Sequence, residues 1–273
     1  MTTTTLPEAT PDTTPRTPGT GTVTLARVVH SEWHKLRTLR SSWITVLTAA
    51  ALVLGVGVLM GTTYTSDGGD SDVDTVVLTL YGSQLGAIAL AVLGILVTAG
   101  EYATGTIRAT LTAVPTRLPV LWAKAAVFTG TVLTVTFVTN VLTFLAAQVF
   151  LSDTDQAASL TDDGVLAALA GNAVGLTLLG LIALGLGAGL RSVPGAIGAF
   201  VGGVLIVPEI LGMLPYGAME TAVRYFPTQA SGVLGSATPL PDAASPGAAL
   251  LALLLWAAVA LVVPALLLKR RDV

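Results

Sequence analysis

The sequence predicts an all-α integral membrane protein with six transmembrane helices, and three observations predict it. Only 11% of the 273 residues are charged, where a soluble domain carries roughly 25% to cover its surface. Mean hydropathy is +0.80. Six mainly apolar stretches, each near the roughly 20 residues needed to cross a bilayer, lie at about 43–61, 76–99, 125–150, 165–190, 195–214 and 247–268. The lack of cysteine removes disulfides, thiolate metal sites, iron–sulfur clusters and cysteine nucleophiles. Two histidines and a net charge of −3 argue against an imidazole-rich metal centre and a nucleic-acid binder.

The first 24 residues, rich in Thr and Pro and without an apolar run, read as a disordered tail, and residues 25–273 as a single transmembrane domain. Within 25–41, Leu25, Val28, Val29, Trp33, Leu36 and Leu39 recur at helical spacing, while Arg27, His34, Lys35, Thr38 and Ser41 fall largely elsewhere on the wheel. Such a helix lies in the membrane interface, with Trp33 and Trp43 at headgroup depth and its cations near anionic lipid. The pattern leaves open whether it only orients the first span or also meets a cytoplasmic partner.

After the first span comes a short acidic loop at 62–75, then the second span. Residues 100–124 are more than a simple connection needs, since about five residues can join neighbouring spans. Glu101 stands where a short cytosolic helix would begin, at the positive end of its dipole, and Arg108 lies in its later part. Pro115 and Pro119 would end that helix before the third span. A helix rigidly continuous with two spans would act on them as a lever; the alternative is an amphipathic loop without a partner. Loop 151–164 is again short and acidic. Arg191-Ser192-Val193-Pro194 makes a tight turn between spans four and five. The last segment, 215–246, is long, mixed and proline-rich. Its apolar content over 218–235 predicts one or two short helices resting on or dipping into the outer leaflet, where protein must cover irregular backbone.

Six spans put both termini on one side. Arg16, Arg27, Lys35, Arg37, Arg40, Arg108, Arg117, Lys124, Arg191, Lys269, Arg270 and Arg271 lie there, leaving only Arg224 of the 13 basic residues on the other. The positive-inside rule makes the termini side cytoplasmic.

Within the spans, the polar candidates for a substrate pathway are Tyr81 and Gln84 in span two, Asn140 and Gln148 in span three, and Glu209 in span five, with Asn172 in span four. Polar groups in hydrocarbon are costly and face protein or water. Each therefore lines a pathway or ties helices together, a use worth about 0.6–2 kcal/mol. Glu209, the only acid within a span, follows Pro208; it either contacts substrate or reaches water near the outer boundary. Gly82 and Gly86, Gly171 and Gly175, and Gly198 and Gly202 permit close helix approach, and the run Gly185, Gly187, Gly189 predicts a pliable end to span four.

The run Glu32-Trp33-His34-Lys35-Leu36-Arg37-Thr38-Leu39-Arg40-Ser41-Ser42-Trp43 before the first span, with Glu101-Tyr102-Ala103-Thr104-Gly105-Thr106-Ile107-Arg108 after the second, resembles the permease subunit of a bacterial type-2 ABC transporter of the export class. The resemblance covers nearly the whole chain. It implies that an N-terminal interfacial helix and a cytosolic coupling helix between spans two and three dock on a separate ATP-binding subunit, present in two copies. It also implies a second permease copy, here a homodimer, around a central pathway, and a long external segment between spans five and six. By this resemblance Glu32, Lys35 and Arg37 belong to the interfacial helix, and Glu101, Tyr102, Gly105, Thr106, Ile107 and Arg108 to the coupling helix.

No Gly-x-x-x-x-Gly-Lys-Ser/Thr loop occurs, so ATP and Mg would sit on the partner, and this chain would bind no cofactor and no metal. The implied function is ATP-driven export of a lipophilic substrate such as a drug, peptide or lipid across the cytoplasmic membrane. An intramembrane protease would need an intramembrane histidine beside its serine, and His30 and His34 both lie in the interfacial helix. The alternative that stays open is a self-sufficient ion-coupled secondary transporter, for which only Pro208-Glu209 resembles the usual broken helix.

Overall fold

A computed structural model gives the fold and describes residues 24–65, 73–107 and 118–270. Helix α1 (Leu25–Thr38) ends where Leu39 takes extended backbone, and α2 (Arg40–Thr63), the first span, begins at the next residue. A short α3 (Thr75–Thr79) precedes α4 (Ser83–Ala103), the second span. The third, fourth and fifth spans are α5 (Leu118–Leu151), α6 (Val165–Leu190) and α7 (Val193–Gly212). Helices α8 (Gly217–Val223) and α9 (Pro227–Leu234) occupy the long segment before α10 (Pro246–Arg270), the sixth span. All six expected spans are present as helices long and apolar enough to cross a membrane. The N-terminal tail read at 1–24 lies outside the described residues, Thr24 excepted.

Two boundaries differ from expectation. The second span is not continuous over 76–99: the chain turns at Leu80–Gly82, where a Cβ on Gly82 would lie 2.8 Å from the Leu52 carbonyl and 2.9 Å from that of Val53, so α2 approaches closely there. Pro119, expected to end a preceding helix, lies within α5, and the third span is already helical at Leu118 rather than from about 125. At 34 residues α5 is roughly 50 Å long and outreaches the hydrocarbon.

The centre of the bundle is α6. Of its most apolar stretch 78% is buried, against 22–50% in the other spans. Its run of Leu, Ala, Gly and Val has no polar side to turn outward, and α4, α5, α9 and α10 pack around it. The glycine run at the end of α6 serves close packing: α6 stays helical to Leu190, Gly185 receives Ala260 of α10, and Gly187 receives Ile95 and Thr98 of α4. Thr98 Oγ1 donates to the Leu184 carbonyl at 2.9 Å across the same contact. The tight turn after it forms as expected. Arg191 takes a left-handed conformation (φ 55°), and Ser192 Oγ caps α7 by accepting the Gly195 N–H.

Helix α7 carries a π-helical stretch at Val201–Ile206. Pro208 has no N–H for the Val204 carbonyl, and in the wider turn the Val207 N–H reaches the Gly202 carbonyl. The freed Val204 carbonyl accepts from Thr228 Oγ1 of α9 at 3.4 Å. Gly175 and Gly171 of α6 let Ser231 and Leu234 of α9 come close, while Trp256 of α10 donates to the Tyr225 carbonyl at 3.1 Å. These contacts fall well inside α6, α7 and α10, so α9 dips between the spans rather than resting on them. Its deepest end is its start, where Pro227 removes one of the unpaired N–H groups that a helix start otherwise presents.

The amphipathic face read at 25–41 divides. Val28 packs with Val120 and Ala123 of α5, whereas Leu25, Trp33 and Leu39 stay exposed. The buried stripe Val28, Glu32, Leu36 has a carboxylate at its middle.

Candidate functional site

That carboxylate belongs to a four-charge ring at the end of the bundle where α1 meets α4 and α5. Glu32 comes from α1, Glu101 from the last turn of α4, Lys124 from the second turn of α5, and Lys35 from one turn past Glu32. Lys124 Nζ donates to Glu32 Oε2 and to Glu101 Oε1, both at 2.7 Å. Lys35 Nζ donates to Glu32 Oε1 at 2.8 Å and to Glu101 Oε1 at 3.0 Å. Each lysine bridges both glutamates, so the ring is closed and formally neutral.

Glu32 and Lys124 are 5% exposed in their side chains, and Lys35 is 35% exposed. Taking charges from water is expensive, and only full pairing offsets it. Burial works against the Lys35 charge, but the bond and charge of Glu32, then those of Glu101, outweigh it and hold its pKa above the ordinary 10.5. Its stabilisation is thus complete below that value and is lost only as pH rises through the higher folded one. The ring holds α1, the end of α4 and the start of α5 as one body. Glu101 Oε2 is buried without a hydrogen-bond partner. The four side chains also line a groove of about 650 Å³ with Leu36, Leu39, Leu93 and Val97.

Glu101 is therefore not the first residue of a cytosolic helix, because α4 runs on through Ala103. It stops at Thr104–Gly105, where Gly105 takes the left-handed φ of 73° that ends helices. Tyr102 lies under the Arg191 guanidinium, 5.2 Å from ring centre to Cζ, and so links α4 to the α6–α7 turn. Thr106 and a buried Ile107 start a new turn. Arg108 and Pro115, with most of the expected coupling helix, lie outside the described residues. Arg37 is exposed, and its carbonyl accepts from Trp43 Nε1 at 3.0 Å.

Toward the opposite face, α3, α4, α6, α7 and α9 line an open cavity of about 460 Å³. Tyr81, Gln84 and Glu209, three of the five expected pathway residues, line it together with Asn172 and Gln229. Glu209 Oε1 accepts from Gln229 Nε2 at 3.1 Å. Asn140 and Gln148 lie elsewhere. Asn140 is fully buried and donates to the Leu169 carbonyl at 3.0 Å and to Asn172 Oδ1 at 3.1 Å. Gln148 bridges the far-side loop, donating to the Gln156 carbonyl at 3.3 Å and accepting the Ala158 N–H at 3.0 Å.

A second carboxylate closes the far side. Asp74 Oδ1 caps α3 by accepting the Val76 and Val77 N–H groups. Its Oδ2 accepts the Thr238 N–H at 2.6 Å, Thr238 Oγ1 at 2.9 Å and Ser236 Oγ at 3.1 Å. Burial would raise its pKa, but the two Thr238 bonds and the others outweigh burial and hold it below the usual 3.8.

Sequence reasoning missed Lys124, Thr228, Gln229 and Asp74 as partners in these sites. Lys124 did leave a signal, an ammonium flanked by Leu121-Trp122-Ala123 and Ala125-Ala126-Val127, where a solvated lysine would be out of place.

Among known families, the ABC-2 family transporter protein model matches residues 28–205, from α1 to the middle of α7. No curated protein matches the chain.

Proposed function

The chain belongs to the ABC-2 transporter family and is a membrane-spanning permease subunit of an ABC transporter; from that premise we propose that it is an exporter driven by ATP hydrolysis on a separate cytosolic subunit. Two ATP-binding subunits, which carry ATP and Mg, dock on α1 and on the segment after Gly105, and two copies of this chain pair as a homodimer with their termini in the cytoplasm. The transmembrane domain is 25–273, and 1–24 is a tail. Closure of the ATP-binding pair pushes the segment after Gly105, and the neutral ring of Glu32, Lys35, Glu101 and Lys124 passes that movement to α1, α4 and α5 as a rigid-body shift. That ring is the observation that carries the reading: it joins α1, one expected docking element, to the end of α4 and the early turns of α5, the two spans between which the other lies. The cavity lined by Tyr81, Gln84 and Glu209 is part of the path of a lipophilic substrate.

Purification from native membranes brings down an ATPase subunit in about equal amount; a chain that purifies alone and transports on an ion gradient is a secondary transporter instead. With that complex, Glu101→Ala and Gly105→Pro leave membrane insertion intact but separate ATP hydrolysis from transport. Unchanged transport in both rejects the lever. Because the chain has no cysteine, Thr104→Cys and Asp153→Cys report orientation, and labelling of the former only from outside rejects the topology.

A further inference from the structure

Resting on the reading of the 460 Å³ cavity as part of the substrate path, we propose that this cavity selects lipophilic cations, with Glu209 as their counter-ion. Among the described residues, Glu209 is the only charged side chain that lines it. Among the described residues no ion pair reaches Glu209, and Arg224 is already paired with Glu220 at 3.2 Å. Its hydrogen-bond donor, the Gln229 amide in the first turn of α9, supplies a dipole rather than a charge. Glu209 is exposed near the end of α7, so its carboxylate is open to a ligand in the cavity, where a cation is attracted and an anion repelled.

The rest of the lining fits the body of such a ligand. Leu80, Leu85, Leu176, Leu179 and Leu205 form apolar walls, and the Tyr81 ring, well exposed, offers a face of the kind cations favour. The volume falls within the roughly 300–1,000 Å³ of small-molecule sites. An inorganic divalent ion would need several hard ligands, and no group of three His, Asp or Glu occurs among the described residues. The ligand class is therefore a monovalent organic cation with a bulky apolar body.

Tetraphenylphosphonium and tetraphenylborate share shape and size and differ in the sign of charge, so they separate charge from hydrophobicity. The full-length permease, purified with its ATP-binding partner and reconstituted in lipid nanodiscs, binds the phosphonium saturably and the borate only by partition into lipid. Glu209→Gln weakens phosphonium binding by about tenfold or more, and Glu209→Asp, which keeps the charge, retains most of it and shows that the site still folds. Equal phosphonium binding by wild type and Glu209→Gln, or equally saturable binding of the borate, overturns the proposal.

The pathway reading is scored separately by the thiol reactivity of Gln84→Cys during ATP turnover. Reactivity that follows turnover while phosphonium ignores Glu209 removes the cation class alone. Phosphonium binding that needs Glu209 while reactivity never follows turnover keeps the cation site and removes the pathway reading.

Discussion

Replacing Lys124 with methionine keeps the length and apolar stem of the side chain and deletes one charge from the ring. Two bonds of 2.7 Å vanish, and Glu32 and Glu101 are left to share Lys35, whose bonds are 2.8 and 3.0 Å and whose side chain is seven times more exposed than that of Lys124. A carboxylate that is 5% exposed then keeps its charge with half its partners. Removing one member of a buried pair costs about 3–5 kcal/mol, because the other charge stays buried. For a chain of this size that is a fall on the order of 10 °C in the apparent unfolding midpoint. Thermal unfolding of the purified permease, followed by loss of helical circular dichroism or by an engineered thiol at a buried position, reads the shift. Glu32→Gln in the same background should recover part of it, so the double-mutant cycle gives a coupling of about 1–3 kcal/mol. A loss below about 1 kcal/mol, as for exposed ion pairs, or strict additivity of the two changes, would show that the ring is a surface ornament and would remove the mechanical link from α4 to α1.

Asp74→Asn should lower stability at neutral pH by on the order of 3 kcal/mol, combining a weakened helix cap with lost charge-assisted bonds to the Ser236–Thr238 loop. Since the folded pKa lies below 3.8, the wild-type advantage is full above that value and fades as pH falls through the lower one; a pH titration of the midpoint in both proteins checks the sign. Thr228→Val should cost about 0.6–1.7 kcal/mol, and much less in a Pro208→Ala background, where the Val204 carbonyl regains a backbone donor. Equal costs in both backgrounds would refute the link between the proline and α9. Gly175→Val should force Ser231 away from α6 at about 1–3 kcal/mol, seen as faster hydrogen exchange over α9 with the six spans still protected.

Long apolar runs announce themselves, and α6 appears at 165–190 as read because nothing in it competes with helix and Gly164 and Arg191, both left-handed, bound it. The ring was hidden for a physical reason. A helical wheel sorts residues by polarity and assigns glutamate to water, yet Glu32 stands four residues from both Val28 and Leu36 on the buried stripe; only the position of Lys124, more than ninety residues away in sequence, makes its burial tolerable. Proline carries a similar ambiguity. Its missing N–H suits a helix end and a helix start alike, so Pro119, read as a stop, is found inside the third span. At Pro208 the sequence does show that a carbonyl is freed, but the hydroxyl that takes it up sits on another element. Tyr81, Gln84 and Glu209 come together by tertiary placement of α3, α4 and α7, which no local pattern encodes.

The position of α9 bears on how the chain is made. Its niche has walls from α6, α7 and α10, and α10 is the last of these to leave the ribosome. Until the sixth span enters the bilayer, the Tyr225 carbonyl and the Phe226 ring lack Trp256, and the niche for the segment has walls from α6 and α7 alone. Biogenesis thus divides in time: five spans can insert one after another, and the dipping helix can be pulled in only when the final span arrives to close the niche around it.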